Sequence, residues 1–295
     1  MKVRFKLNKR GFFDSLDKLE QNKVGNFIDL SEIKFADIFG IVSLALLIKK
    51  EYSNNNKIQL IMPHNFDVSS YLHISGFIDY VKNVAEIKYN GLNILSKFHG
   101  KIEIDSKKDY IPLQLIKNQE DVEAIIDKII FWLRNKGVEE DEVNKIFTLL
   151  LELFGNALDH SNSENGCIFA MQKYKTKLMI SIADYGVGIK ESLENNKKYV
   201  GFFKTNELAM QHIFTNKNYI SSEDEKGRGN GFFCLNSLSI EKQMEFYIYS
   251  RDGFYASTYI GRKKWKRQQN NIWLKRNTCK FLYKFTKMID KNKNR

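Results

Sequence analysis

Glu152 and Asn156 set a carboxylate and a carboxamide four residues apart in a long segment patterned with apolar residues. On a helix, that spacing projects both side chains from one face. A carboxamide oxygen is a hard ligand that suits a hydrated Mg²⁺. A carboxylate one turn away can orient a water or act as a base toward it. The same spacing also describes two polar residues on a solvated helix face, so the pair alone does not decide between chemistry and solvation. A second group follows: Asp184-Tyr185-Gly186-Val187-Gly188-Ile189. An acid at a strand end followed by Gly-x-Gly offers a fixed acceptor beside backbone that a flat ring can approach closely. Asp184 suits the exocyclic amine of adenine, although the hexapeptide also reads as an ordinary glycine turn. A third group is Gly227-Arg228-Gly229-Asn230-Gly231, before Phe232-Phe233-Cys234-Leu235. Alternating glycines free backbone N–H groups to face phosphate oxygens, and a following helix adds its N-terminal dipole. Arg228 either adds charge to that loop or points to solvent. The loop lacks the Gly-Lys-Ser/Thr of a P-loop and the strand-turn-helix context of a dinucleotide fold.

The elements that must position these groups are legible. Asn118 to Asn135 reads as a helix with Val122, Ile125, Ile126, Ile129, Ile130 and Leu133 on one face and Gly137 just past its end. A second helix runs from about Glu139 to Ser161. Its first turn carries Glu139-Glu140-Asp141-Glu142, where the helix dipole favours acids. Asn162-Ser163-Glu164-Asn165-Gly166 breaks it. Lys177 to Ala183 is a strand ending at the Asp184 group. Asn206 to Phe214 is a helix candidate, and Ser221 to Lys226 is a polar loop suited to a lid. Gln243 to Arg251, an Asp252-Gly253 turn and Phe254 to Ile260 form a hairpin carrying Thr258.

Taken in order, these three motifs resemble the GHKL superfamily of gyrase, heat-shock chaperone, histidine kinase and mismatch-repair ATPases. The resemblance covers residues 108–262. Glu152 and Asn156 match its N box, Asp184, Gly186 and Gly188 its first glycine box, and Gly227, Gly229 and Gly231 its second. The resemblance implies a Bergerat-type α/β sandwich with ATP and Mg²⁺ as ligands. Asn156 would hold the metal and Glu152 would position water or act as base. Asp184 would contact adenine, the loop Gly227, Arg228, Gly229, Asn230, Gly231 would bind phosphates, and Thr258 would match a threonine near adenine. His160-Ser161 reads as the close of the helix rather than a phosphoacceptor. The hairpin is where this family ends its sheet. With no phosphoacceptor helix before these motifs and no long domain after them, neither a complete sensor kinase nor a gyrase-type arm is expected.

Upstream, an α/β alternation covers residues 1–107. Val24 to Leu30 reads as a strand, Asp37 to Glu51 as a helix, Lys57 to Met62 as a strand closed by Pro63, and Val68 to Ile74 as a helix before Gly76. Phe77 to Val81 and a strand at about Val84 to Tyr89 follow. The order resembles the STAS-like domains related to anti-anti-sigma factors, on Ile28-Asp29-Leu30, Phe35 to Ile41 and His73 to Phe77. Ile38 and Phe39 stand where switch members of that family carry a phosphorylatable serine, so no phosphoserine switch is expected there. The domain reads as a docking or dimerisation module, with a protein partner or a homodimer as its readings. Lys107 to Pro112 reads as the linker.

The chain has 295 residues and a formal net charge of +12. Residues 262–295 hold thirteen Lys/Arg and one acid, Asp290, so the remainder is neutral. Polyanion affinity is therefore expected only at the C-terminus, 263–295. There Trp265, Trp273, Phe281, Tyr283 and Phe285 lie among the cations, and Leu282, Phe285 and Ile289 fall at helical spacing. Nucleic acid, an anionic membrane, or packing on the body itself are the three readings. Three cysteines in no metal-like spacing exclude a disulfide framework or zinc site. No apolar run reaches the ~20 residues of a membrane span, and Met1 to Lys6 lacks a signal-peptide core. The expectation is a cytoplasmic ATP-binding regulatory protein with slow ATPase or serine-type protein kinase activity. The alternative is a non-catalytic, nucleotide-gated interaction module.

Overall fold

Among the described residues, Asp37 starts the longest helix of the N-terminal half. Its backbone is extended, and its Oδ1 accepts from the Gly40 N–H at 2.9 Å, the bond of an N-cap. The helix, α1, runs Ile38–Ser53, and every residue from Ile38 to Ile48 is buried. Ser43, inside that run, donates to the Phe39 carbonyl at 2.7 Å, so its hydroxyl is satisfied within the helix. A helix apolar on all sides is covered on all sides, and two sheets cover this one.

The computed structural model describes residues 27–89, 103–158, 166–175, 177–215, 244–251, 253–257, 263–267 and 282–288. The first sheet is parallel, in order β1-β2-β3, from β1 (Phe27–Asp29), β2 (Ile58–Ile61) and β3 (Ala85–Lys88). The helices α1, α2 (Phe66–Ile74) and α3 (Phe77–Val81) connect its strands. The second sheet comprises β4 (Tyr110–Ile116), β5 (Cys167–Lys173), β6 (Lys177–Asp184), β7 (Met244–Ser250), β8 (Gly253–Ser257), β9 (Lys263–Arg267) and β10 (Leu282–Met288). It is antiparallel throughout, in order β4-β5-β6-β10-β7-β8-β9. Between its strands the chain makes α4 (Gln119–Asn135), α5 (Glu140–Leu158), α6 (Ile189–Glu194), a 3₁₀ turn at Lys197–Tyr199 and α7 (Asn206–Thr215). The protein is therefore mixed α/β, with one parallel and one antiparallel sheet. Among the described residues no helix is long and apolar enough to cross a membrane.

The two faces of the large sheet separate by strand alternation. Phe169 and Met171 of β5, Leu178, Ile180 and Ile182 of β6, and Phe246 and Ile248 of β7 belong to one core with α4 and α5. Ile168 and Ala170, Met179 and Ala183, and Tyr249 turn the other way and share a core with α1 and the small sheet. The α1 side of β5 and β6 is built largely of small residues, Ala170, Ser181 and Ala183, which lets a helix backbone come close. Phe39 of α1 meets Tyr249 with ring centroids 5.8 Å apart.

Three further contacts tie the halves together. The Leu113 N–H donates to the Ser75 carbonyl at 2.8 Å, covering part of the β4 edge. Tyr71 of α2 and Tyr174 both donate to Gln172 Oε1, the second at 3.0 Å. Burial pushes the Tyr71 phenol up, and it pushes Tyr174 up to about 12. Tyr80 of α3 lies 3.5 Å from Tyr185, oxygen to oxygen.

Most elements agree with the sequence periodicity, and several differ. The Lys107 to Pro112 stretch is not all linker, because Tyr110, Ile111 and Pro112 open β4. Pro112 is tolerated there because β4 is an edge strand with a register shift between Ile111 and Gln114. Strands β5 and β9 and helix α6 had no sequence counterpart. The helix α1 is enclosed rather than one-sided. Leu282 and Phe285, at helical spacing, lie in a strand, since the ladders to β6 and β7 outweigh local periodicity. Ile289 lies outside the described residues.

The sheet thus does not end with the β7–β8 hairpin: β10 returns to its middle. Deleting residues 263–295 would leave facing rows of backbone N–H and C=O groups on β6 and β7 without partners. We expect the truncated chain to show no cooperative thermal transition by circular dichroism, where the full chain shows one. A cooperative melt of the truncated chain would contradict this placement of β10.

Candidate functional site

Helix α5 carries the first candidate pair. Its buried side is Val143, Ile146, Leu149, Leu150, Leu153, Phe154, Asn156 and Ala157. The apolar members pack on the large sheet, with the Phe154 ring 5.5 Å from that of Phe169. Asn156 is only 8% exposed, and its Nδ2 has no hydrogen-bond partner among the described residues. Glu152, one turn earlier, is exposed. The pair thus straddles a boundary, with the carboxylate at the solvent rim and the carboxamide inside.

Asp184 is the last residue of β6 and is fully buried. Its Oδ1 accepts from the Gly186 N–H at 2.7 Å, a turn that bends the chain into the glycines. A carboxylate has about four acceptor positions, so this bond does not exhaust its capacity. Cys167, the first residue of β5, pairs with Asp184 in the ladder. Burial, with the nearby Asp184 charge, pushes its thiol well up, so Cys167 is no nucleophile. Phe154, in the last turns of α5, packs on Phe169, and Cys167, two residues before Phe169, pairs with Asp184, so the end of α5 lies toward the Asp184 end of the sheet. Glu152, Asn156 and Asp184 are therefore brought to the same end. Gly166, just before β5, has φ +67°, and a Cβ on it would lie 2.1 Å from the Ile116 carbonyl oxygen.

The glycine turn is locked from outside. Gly188 has φ +93° and ψ 160°, a conformation open essentially to glycine alone. A Cβ there would stand 3.1 Å from Arg251 Nε and 3.2 Å from Asn206 Oδ1. The next two N–H groups are already used. Ile189 donates to Ser250 Oγ and Lys190 to Asn206 Oδ1, each at 3.0 Å, and Ser250 Oγ donates to Asn206 Oδ1 at 3.2 Å. Arg251 pairs with Glu191 at 2.7 Å. With those donors consumed, the start of α6 is a rigid wall and not a phosphate cradle. Arg251 itself has φ +48°, in the two-residue turn between Ser250 and Gly253.

Gly227, Arg228, Gly229, Asn230, Gly231 and Thr258 lie outside the described residues, as do His160 and Ser161. Asn206, Ser250, Arg251, Glu191 and Tyr80 shape the site and were not singled out from sequence. Asn206 opens α7, and the Ser250 to Gly253 stretch reads as a turn, but only the fold brings them to Gly188. Tyr185, between Asp184 and Gly186, reaches Tyr80 of the N-terminal half. Among the described residues no group of three or more His, Cys, Asp or Glu side chains is arranged to hold a metal ion. No protein-family profile matches the chain, and no curated protein matches it.

Gly188→Ala combines an unfavourable φ with a steric conflict against Arg251 and Asn206. We expect it to destabilise the protein by more than about 1 kcal/mol, measured as a lowered denaturation midpoint. A conserved midpoint would show that the turn adopts another conformation.

Proposed function

We propose that the chain is a cytoplasmic regulatory protein with a Mg²⁺-dependent ATP site of GHKL type, joined to a STAS-like N-terminal module. The observation that carries this reading is Asn156: a nine-tenths-buried carboxamide with an unpartnered end, at the same end of the sheet as the buried Asp184. Leaving such a group unsatisfied costs about 1–3 kcal/mol, a cost that a ligand would offset. A 180° flip of the amide exchanges its nitrogen and oxygen, so Asn156 can present an oxygen to a cation. The helix-borne Glu152, the Asp184 turn, and helices packed on one face of an antiparallel sheet support the same reading.

The donor set fits Mg²⁺, which takes hard oxygens and is commonly held by one or two protein ligands together with substrate phosphates. Bound there, Mg²⁺ would neutralise phosphate charge. Asn156 would hold it, while Glu152 at the rim would orient a water or a substrate hydroxyl and accept its proton. Asp184, dry and fixed by the Gly186 bond, would accept from the adenine amine. Gly227 to Gly231 would face the phosphates, with Arg228 and Asn230 in that loop and Thr258 near the base. Slow ATP hydrolysis or serine-type protein phosphorylation is the activity this arrangement suits. The second reading is a nucleotide-gated interaction module, favoured by the Tyr80–Tyr185 contact, which links the adenine-side turn to the N-terminal half. In that reading, or in either, a protein partner or a second copy would engage the STAS-like module. The basic residues 263–295 would meet nucleic acid or an anionic membrane, or serve the sheet alone.

Replacing Asp184 by Asn keeps its size and changes what faces the amine. A hydrogen bond to a charged group contributes ~1.5–3 kcal/mol, so Asp184→Asn should weaken Mg·ATP binding by about tenfold or more in calorimetry. Unchanged affinity in a folded variant would remove the adenine assignment.

Glu152→Ala should hold affinity within a few fold and lower turnover by ~10²-fold or more, read as phosphate release or radiolabel transfer in cell extract. ATP binding without any turnover by the unaltered protein would leave the gated module as the function.

A further inference from the structure

The segment between α6 and α7 carries an apolar tip. Val200 is 67% exposed and Phe202 64%, on either side of Gly201, whose φ is +69° and whose Cβ position meets nothing within 4 Å. Leu208, 43% exposed on α7, adds a third apolar side chain. Val and Phe exposed to this extent are costly in water unless something covers them.

The tip is held out by a built support. The Phe202 N–H donates to the Tyr199 carbonyl at 2.9 Å, and the Gly201 N–H to Glu194 Oε1 at 3.3 Å. Beneath it, Tyr199 and Phe203 are buried, with ring centroids 5.7 Å apart, and His212 lies 5.2 Å from Phe203 and 5.4 Å from Tyr199. Phe202 touches this cluster at its edge, 4.9 Å from Phe203. Lys197, Lys198 and Lys204 flank the tip and are all exposed, and between Asn195 and Asn206 there is no acid.

We propose that this tip, Val200 and Phe202 with Lys197, Lys198 and Lys204, is a docking point for an anionic membrane surface. An apolar point ringed by cations matches a bilayer interface, with acyl chains for the side chains and anionic headgroups for the ammonium groups. The charge complementarity selects lipid over an unspecified apolar protein groove. An exposed aliphatic Val200 at the apex selects lipid over nucleic acid, which rewards flat rings. The proposal is independent of the nucleotide reading. Lysines near the headgroups add electrostatic attraction to anionic lipid, and burial of the two apolar side chains adds to that.

The test is vesicle co-sedimentation of the full chain, using phosphatidylcholine alone and phosphatidylcholine with phosphatidylserine, at low and raised salt. The protein should bind the anionic vesicles and not the neutral ones. The double variant Val200→Ser/Phe202→Ser, checked for an unchanged melt, should bind at least ~10-fold more weakly at raised salt, where charge contacts are screened. Lys197→Gln/Lys198→Gln/Lys204→Gln should lose affinity at low salt and show a shallower salt dependence. An oligonucleotide binding assay runs beside these. No vesicle binding, equal binding to both vesicle types, an unchanged affinity of the folded Val200/Phe202 variant, or a loss seen only with the oligonucleotide would each overturn the proposal.

Discussion

The structure depends on one helix having no solvent face along most of its length. Helix α1 is buried from Ile38 to Ile48, with the parallel sheet on one side and strands β5 and β6 of the antiparallel sheet on the other. A helix in that position must be apolar all round, so its few polar groups are bonded locally: Asp37 to Gly40 and Ser43 to Phe39. The strands it presses on must be small on that face, and Ala170, Ser181 and Ala183 meet that need. The opposite face of the same strands is free to carry Phe169, Met171, Leu178 and Ile182, which pack with α4 and α5. Strand alternation thus lets one pair of strands serve two cores of different character.

That shared layer brings the N-terminal half to the candidate site. Tyr80 approaches Tyr185 inside the Asp184–Gly188 turn, and Tyr71 and Ser75 bond to β5 and β4. A displacement of α2 or α3 relative to the sheet would be felt at the turn directly, without a long chain of intermediaries. On the other side, the turn is held by Asn206, Ser250 and the Glu191–Arg251 pair. Arg251 in the left-handed region costs of the order of 1–3 kcal/mol. Its ion pair with Glu191, the two side chains 23% and 35% exposed, offsets a part of that. The hairpin strand order and the side-chain contact at Gly188 hold the remainder.

Charge and topology divide the surface in a consistent way. The net +12 of the chain falls in residues 262–295, yet two parts of that stretch are strands, and β10 stands in the middle of the sheet. At the sheet edge, β9 carries four cationic residues among five. Lysine on an edge strand discourages pairing with a second sheet, so part of the basic character has a purely structural explanation. The apolar tip at Val200 and Phe202 has no such explanation: Val200 is 67% exposed, and Phe202, 64% exposed, meets the buried cluster only at its edge.

Local features of the chain were readable in the sequence because they rest on local physics. The apolar spacing of α4 and α5 follows the 3.6-residue period, and the acids of Glu140 to Glu142 follow the helix dipole. Ile38 to Ile48 was readable as a helix, but its near-continuous apolarity could not say what covers it, because periodicity records how many sides are buried and not by what. The strand β5 was missed because Cys167-Ile168-Phe169-Ala170-Met171 is apolar on both faces and so lacks the alternation that marks a half-exposed strand. Pairing Glu152 with Asn156 needed only helical spacing. Placing Asn156 inside and Glu152 at the rim needed the packing of α5 on the sheet. Asn206, Ser250 and Arg251 reach the Gly188 turn from 18 to 63 residues away along the chain, through hydrogen bonds and contacts that no local pattern encodes. The position of β10 is the clearest case: a seven-residue strand pairs with two strands far from it in sequence, because non-local backbone hydrogen bonds, and not the helical spacing of Leu282 and Phe285, decide its conformation.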